Sequence, residues 1–261
     1  TIYLTGREGQ GTRMLAIGGR PAWSPDGFRL AYESIRINEA GQEDIEVFVI
    51  NRDGSGRSVI TGELPATGEG PYIDWHADWS PDGSWIAFVS NRGDPDNDIY
   101  LVRPDGSDLR RLTSTPEPEL YPDWSPDSQR LVFQRNDVDG SHLEMITVDG
   151  NETRLTSLQG RDQEPAWSPD GSMITFTRFL FPVTGDIRRE LFLLDVDSGE
   201  VRRILTGFRG LSEPAWAPDG TTILFVGTAG ERHGIWEVHA DGTNLRMIRG
   251  EPGSYTTVAV R

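Results

Sequence analysis

The sequence predicts an all-β fold, a six-bladed β-propeller built from four-stranded antiparallel blades. Three observations predict it. The pentapeptide Trp-Ser-Pro-Asp-Gly stands whole at Trp23–Gly27, Trp79–Gly83 and Trp167–Gly171, and recurs with one change at Trp124–Ser128 and Trp216–Gly220. Its five tryptophans are 56, 45, 43 and 49 residues apart, the kind of period that marks a repeat architecture with one supersecondary unit per repeat. Between the copies, short runs rich in aromatic and β-branched residues alternate with Asp-Gly and Ser-Gly turn signals, and no stretch of helical period competes.

Taken in order, the N-terminal Ile2-Tyr3-Leu4 through Leu15-Ala16 aligns without gaps to Ile99-Tyr100-Leu101 through Leu112-Thr113. That alignment assigns the N-terminus the outer two strands of a sixth, closing blade, residues 1–17. Tyr255–Val260 is expected to add an inner strand from residues 252–261, which gives this blade three strands unless the native chain continues past Arg261. The first full blade is expected over 21–61, with Phe48-Val49-Ile50 and the Asp53-Gly54 turn as its third strand and exit.

The second blade, 77–113, shows the template most plainly. Ala77-Asp78-Trp79 is the inner strand. In Ser80-Pro81-Asp82-Gly83, proline presets φ at the second turn position, aspartate suits the third and glycine the last. Ser84–Val89 is the second strand, Asp98–Val102 the third, and Asp105-Gly106 turns the chain into Leu109–Thr113. The same template places blades over 122–156, 165–206 and 214–249, with Leu-Thr closing pairs at Leu155-Thr156 and Leu205-Thr206. All of residues 1–261 are read as one domain, because each repeat buries its faces only against its neighbours.

Bulk properties exclude several functions. A net charge of −16 argues against nucleic acid, whose phosphates need a basic surface, and against an anionic membrane face. Every one of the 25 positive charges is arginine. Cysteine is absent, so disulfides and thiolate metal sites are excluded. No apolar run is long enough for membrane insertion.

The repeats disagree where binding residues belong, in the loops and inner-strand starts of a rigid scaffold. Three residues before each tryptophan stand Arg20, His76, Tyr121, Glu164 and Glu213; Asp78 and Asp123 stand just before two of them, with Asp74 and Glu119 nearby. Together they predict an acidic channel mouth suited to a cation or to a basic or amide-rich peptide. The bland alternative is that these groups bond channel water and neighbouring blades.

His76 with Asp78 and Asp123 is the one candidate metal set, and Asp94-x-Asp96-x-Asp98 resembles the opening of a calcium loop without its glycine and distal glutamate. No cofactor is expected; calcium or another divalent cation is the sole candidate. In the insertion after the fourth blade's second strand, Phe179, Leu180 and Phe181 are either a partner contact or the buried side of two long strands.

Pro-x-Trp-Ser-Pro-Asp-Gly, followed by an apolar strand such as Ile86-Ala87-Phe88, then Asp-Ile-Tyr, Asp-Gly-Ser and Arg-Arg-Leu-Thr, resembles the TolB-type propeller repeat, a relative of the WD repeat. The resemblance covers essentially the whole chain. It implies a non-enzymatic, periplasmic or extracellular scaffold that binds a protein or peptide at its loop face, with an envelope lipoprotein among the candidate partners, as a monomer or as a module of a larger assembly. Similar repeats also occur in oligogalacturonate lyases and in the propellers of prolyl-oligopeptidase-type peptidases. The alternatives are therefore a metal-dependent polysaccharide lyase or hydrolase, or a propeller module of a larger peptidase, sensor or surface protein. The Gly-x-Ser-x-Gly nucleophile elbow of the peptidases does not occur in the sequence.

Overall fold

Five copies of one four-stranded antiparallel meander account for most of the chain. The structure is a computed structural model and describes residues 1–4, 11–38, 41–62, 71–93, 96–157, 160–180 and 188–250. Two short strands come first, β1 (Ile2–Leu4) and β2 (Arg13–Ala16), paired with each other. Blade 1 is β3 (Gly19–Trp23), β4 (Arg29–Ile37), β5 (Glu43–Asn51) and β6 (Ser58–Val59); blade 2 is β7 (Asp74–Trp79), β8 (Ile86–Ser90), β9 (Asp98–Val102) and β10 (Arg110–Arg111). Blade 3 is β11 (Glu119–Trp124), β12 (Arg130–Asp137), β13 (Gly140–Thr147) and β14 (Glu152–Arg154). Blade 4 is β15 (Arg161–Trp167), β16 (Met173–Leu180), β17 (Arg188–Asp195) and β18 (Val201–Leu205); blade 5 is β19 (Arg209–Trp216), β20 (Thr222–Ala229), β21 (Arg232–His239) and β22 (Arg246–Gly250).

The expected count of six blades is corrected to five. Each pentapeptide copy heads one four-stranded sheet, so five copies make five blades. The sixth was inferred without a pentapeptide, from an alignment that supplies only outer strands. Those strands do form, as β1 and β2, but among the described residues they remain a two-stranded sheet. Tyr255–Val260, expected to join them, lies outside the described residues.

The chain divides into two compact units, Thr1–Pro116 and Glu117–Arg261. In the first, Ile2 and Ala16 pack on Leu30, Tyr32, Phe48 and Ile50 of blade 1, while the opposite face of blade 1, through Ala31, Val47 and Val49, packs on Trp79, Ile86, Phe88 and Tyr100 of blade 2. The second repeats this twice. Val132 and Leu143 of blade 3 meet Trp167, Ile174 and Phe176 of blade 4, and Leu191 and Leu193 of blade 4 meet Leu211, Trp216, Ile223 and Phe225 of blade 5. The motif tryptophan thus wedges between successive sheets. An arginine six residues after the preceding blade's tryptophan covers it: Arg29 over Trp79 at 4.9 Å and Arg130 over Trp167 at 5.1 Å.

The turn after each tryptophan is closed from within. Ser24, Ser80, Ser125 and Ser168 donate their hydroxyls to Asp26, Asp82, Asp127 and Asp170 at 2.5–2.6 Å, and each hydroxyl also accepts a backbone N–H five residues on. The fourth turn residue needs a left-handed backbone, which is why glycine recurs there; Ser128 takes the same conformation at φ +59°. In blade 5, where Ala217 replaces the serine, Asp219 instead accepts the backbone N–H groups of Thr221 and Thr222, which hold its carboxyl down at about 2. Among the described residues no helix is long and apolar enough to cross a membrane.

Candidate functional site

Each blade's inner strand breaks step at the same place. Register between the first and second strands slips just before the tryptophan, between Gly19 and Ala22, Trp75 and Asp78, Leu120 and Asp123, Gln163 and Ala166, and Ser212 and Ala215. At every slip the residue three before the tryptophan has a left-handed backbone: φ is +45° at Arg20, +52° at His76, +54° at Tyr121, +54° at Glu164 and +49° at Glu213. A residue with a β-carbon gives up about 1–2 kcal/mol in that conformation, yet glycine stands at none of the five. Bulges of this kind re-aim a side chain. Proline follows in four of them (Pro21, Pro122, Pro165, Pro214), where the missing N–H suits a bulge inside a strand.

In the first unit, Glu33 of β4 joins two of these residues. It accepts the backbone N–H of His76 at 2.7 Å and lies 3.8 Å from Arg20 Nε. The His76 ring is buried and stacked on Trp75, with centroids 5.1 Å apart. Burial, and then the charge of Arg20, push its pKa well below the usual histidine range, so the ring is neutral. Asp78 is half-buried on the same strand. Asp74 is taken up by Arg92, to which it is salt-bridged, and by the Ser90 hydroxyl at 2.6 Å.

In the second unit, Glu164 is the organising group. One carboxylate oxygen accepts the Glu213 backbone N–H at 2.9 Å, and the other accepts Arg189 at 3.1 Å. Asp123 accepts the backbone N–H of Trp167 at 2.7 Å, linking blades 3 and 4. Tyr121 and Glu213 are half-buried. Glu119 is fully buried against Arg135 at 2.6 Å.

Asp74 and Glu119 belong to a series that sequence reasoning missed. With Asp162 they stand five residues before their tryptophans, and each is paired with an arginine from the end of the adjacent strand: Arg92, Arg135 and Arg178. The guanidinium also lies over an aromatic ring of the same sheet, Phe88, Phe133 or Phe176. The signal was present as Phe133-Gln134-Arg135 and Phe176-Thr177-Arg178, an aromatic and an arginine on one strand face. Blades 1 and 5 carry Gly18 and Leu211 at the acidic position.

Phe179 and Leu180 are half-buried in β16, whose long hairpin pairs them with Arg189 and Arg188, and the Arg189 guanidinium lies 4.3 Å above the Phe179 ring. Phe181 and Asp94 lie outside the described residues. Asp98 pairs with Arg111 at 2.6 Å. Among the described residues no three histidine, aspartate or glutamate side chains gather as metal ligands. His142, buried in blade 3, sits between Glu144 at 3.0 Å and Arg154 at 2.8 Å, an arrangement that makes Nε2 the donor and Nδ1 the acceptor.

The sequence profile of the TolB beta propeller domain matches residues 4–180. The chain belongs to this family. An uncharacterised protein, Atu1656 of Agrobacterium fabrum, is 33% identical over 143 residues, which are 53% of this chain and 44% of that protein. The Tol-Pal system protein TolB of Nitratidesulfovibrio vulgaris is 46% identical over 59 residues, 23% of this chain and 13% of that one. Both matches thus cover less than half of the relative's own length. Among solved structures, that of a TolB from Agrobacterium tumefaciens described as putative superposes with a TM-score of 0.72 at 22% identity, covering 92% of this chain and 84% of that one, which shows a shared fold.

Proposed function

We propose that this TolB-type chain is a non-enzymatic, extracytoplasmic scaffold that recognises a protein or peptide at the strand ends carrying the bulges. The observation that supports this reading most is the set of five left-handed bulge residues. A purely structural bulge would take glycine and lose no energy to strain. Here the scaffold holds Arg20, His76, Tyr121, Glu164 and Glu213, five positions of one backbone geometry with arginine, histidine, tyrosine and glutamate side chains. Within their own units, Arg20 in the first and Tyr121 and Glu213 in the second keep part of the side chain accessible for polar recognition, while His76 and Glu164 are buried. Acidic groups at Asp78 and Glu213 favour amide-rich or basic segments of a partner, while Asp74 and Glu119 are neutralised by Arg92 and Arg135 and serve to hold the strands in place.

The Tol-Pal system protein among the relatives makes an envelope lipoprotein the first partner to test. The assay is biolayer interferometry with the purified soluble domain of a peptidoglycan-associated lipoprotein. Saturable binding that drops at least tenfold in Tyr121→Ser and in Glu213→Gln supports the reading. Binding unaffected by either substitution, or none at all, removes the lipoprotein assignment.

A further inference from the structure

Blade 1 departs from its sisters at the other end of its strands, beside the turn that follows Trp23. Five residues after the motif tryptophan the other blades carry Ser84, Gln129, Ser172 and Thr221; blade 1 carries Phe28, which is 68% exposed. The residue whose N–H bonds the carbonyl at that position is Val148, Val196 or Ala240 in blades 3 to 5, and Pro104 occupies it in blade 2. In blade 1 it is Arg52, whose N–H donates to the Phe28 carbonyl at 2.7 Å. Two neighbouring positions have therefore changed together, from polar to aromatic and from apolar to cationic.

A third group comes from outside the blade. Arg13 of β2 reaches across and donates from Nη2 to the Arg52 carbonyl. Arg13, Phe28, Asn51, Arg52 and Asp53 line a cleft of about 380 Å³, within the range of small-ligand sites. Two of the lining groups are committed to the turn itself. The Asn51 amide donates to Ser55 Oγ at 3.0 Å, and Asp53 accepts the Ser55 N–H and hydroxyl at 2.8 and 2.6 Å. The Ser55 hydroxyl and backbone N–H, with a contribution from the Arg13 charge, hold the Asp53 pKa down, so it stays ionised with its lone pairs directed into its own loop. The Arg52 guanidinium makes no hydrogen bond or ion pair among the described residues. The ionisable groups lining the cleft are thus two arginines and the occupied Asp53 carboxylate, and the neighbouring Asp26 carboxylate is engaged by the Phe28 N–H and the Ser24 hydroxyl.

We propose that this cleft binds a small aromatic carboxylate, the ring lying on Phe28 and the carboxylate taken by Arg52 and Arg13. An aromatic pair adds affinity beyond area burial, and the planar fork of a guanidinium matches a carboxylate with two parallel hydrogen bonds. The site is separate from the bulge residues, which stand before the tryptophan rather than after it.

Titration calorimetry with indole-3-acetate as the probe tests this, with indole-3-acetamide as its uncharged counterpart. The expected result is saturable binding of the carboxylate at one site and at least tenfold weaker binding of the amide. Phe28→Ser and Arg52→Val, each placing there a residue that a sister blade carries, should each weaken binding at least tenfold while circular dichroism stays unchanged. No saturable binding up to millimolar probe, equal binding of the amide by the wild-type chain, or full affinity in both variants overturns the proposal.

Discussion

Replacing Arg178 with methionine should destabilise the chain by about 3 kcal/mol, at the lower end of the range for breaking a buried ion pair. Asp162 is fully buried, and Arg178 holds it through two hydrogen bonds at 2.5 and 2.9 Å. At an effective dielectric constant near 20, unit charges about 4 Å apart attract by about 4 kcal/mol, the right order for such a loss. The Arg178 side chain keeps 16% of its surface in water, which screens part of the attraction and argues for the lower figure. Methionine retains the apolar stem over Phe176 and Phe192, whose ring centroids lie 5.4 and 4.8 Å from the guanidinium carbon, so the change isolates the charge. Asp162→Leu combined with Arg178→Met should recover most of the loss, because no buried charge then remains unpaired. Urea unfolding followed by tryptophan fluorescence supplies the comparison. If Arg178→Met costs under about 1 kcal/mol, or the double variant is as unstable as the two single losses added together, the pairs are not what aligns these strands.

Other outcomes follow from the same geometry. His76 and His142 have pKa values lowered by burial first and by Arg20 or Arg154 second. The unfolded chain therefore binds protons at about pH 6.5 that the folded chain refuses, and stability present above that pH declines as the pH falls below it, by at most about 1.4 kcal/mol per pH unit for each histidine. Urea midpoints between pH 8 and pH 5.5 check this, and a flat profile contradicts it. Ser125→Ala removes a fully buried hydroxyl that donates to Asp127 and accepts the Arg130 N–H, for a loss of about 1–3 kcal/mol in the thermal melt. Gly234→Ala would place a β-carbon 2.1 Å from the Arg249 carbonyl oxygen and should detach β22, read as faster amide exchange in that strand.

Much of the fold was legible because the repeated pentapeptide states its own turn chemistry. Proline, aspartate and glycine are each needed at one turn position, so strand ends could be placed from residues alone, and Asp98–Val102 matches β9 residue for residue. The blade count was not legible, because outer strands align as well in a two-stranded sheet as in a whole blade; only the pentapeptide marks an inner strand. At the candidate site, the sequence picked out the bulge positions by their disagreement but not by their geometry. A left-handed φ at Glu164 or Tyr121 left no mark on residue type, because neither position carries the glycine that usually signals it. The proline that follows four of the five was the available clue. The arginine partners of Asp74 and Glu119 were missed because they come from the far end of the next strand, a pairing that requires the register to be known.

In the proposed recognition role, the bulge positions carry their side chains at the expense of backbone strain. Arg20→Gly tests it most directly when stability and lipoprotein affinity are measured on the same variant. Glycine relaxes a φ of +45°, a gain of about 1–2 kcal/mol, offset by its greater freedom in the unfolded chain and by loss of a half-exposed contact with Glu33. The expected result is a urea stability within about 1 kcal/mol of wild type together with at least a tenfold loss of affinity. Unchanged affinity alongside a loss of several kcal/mol would contradict it and make Arg20 a structural residue.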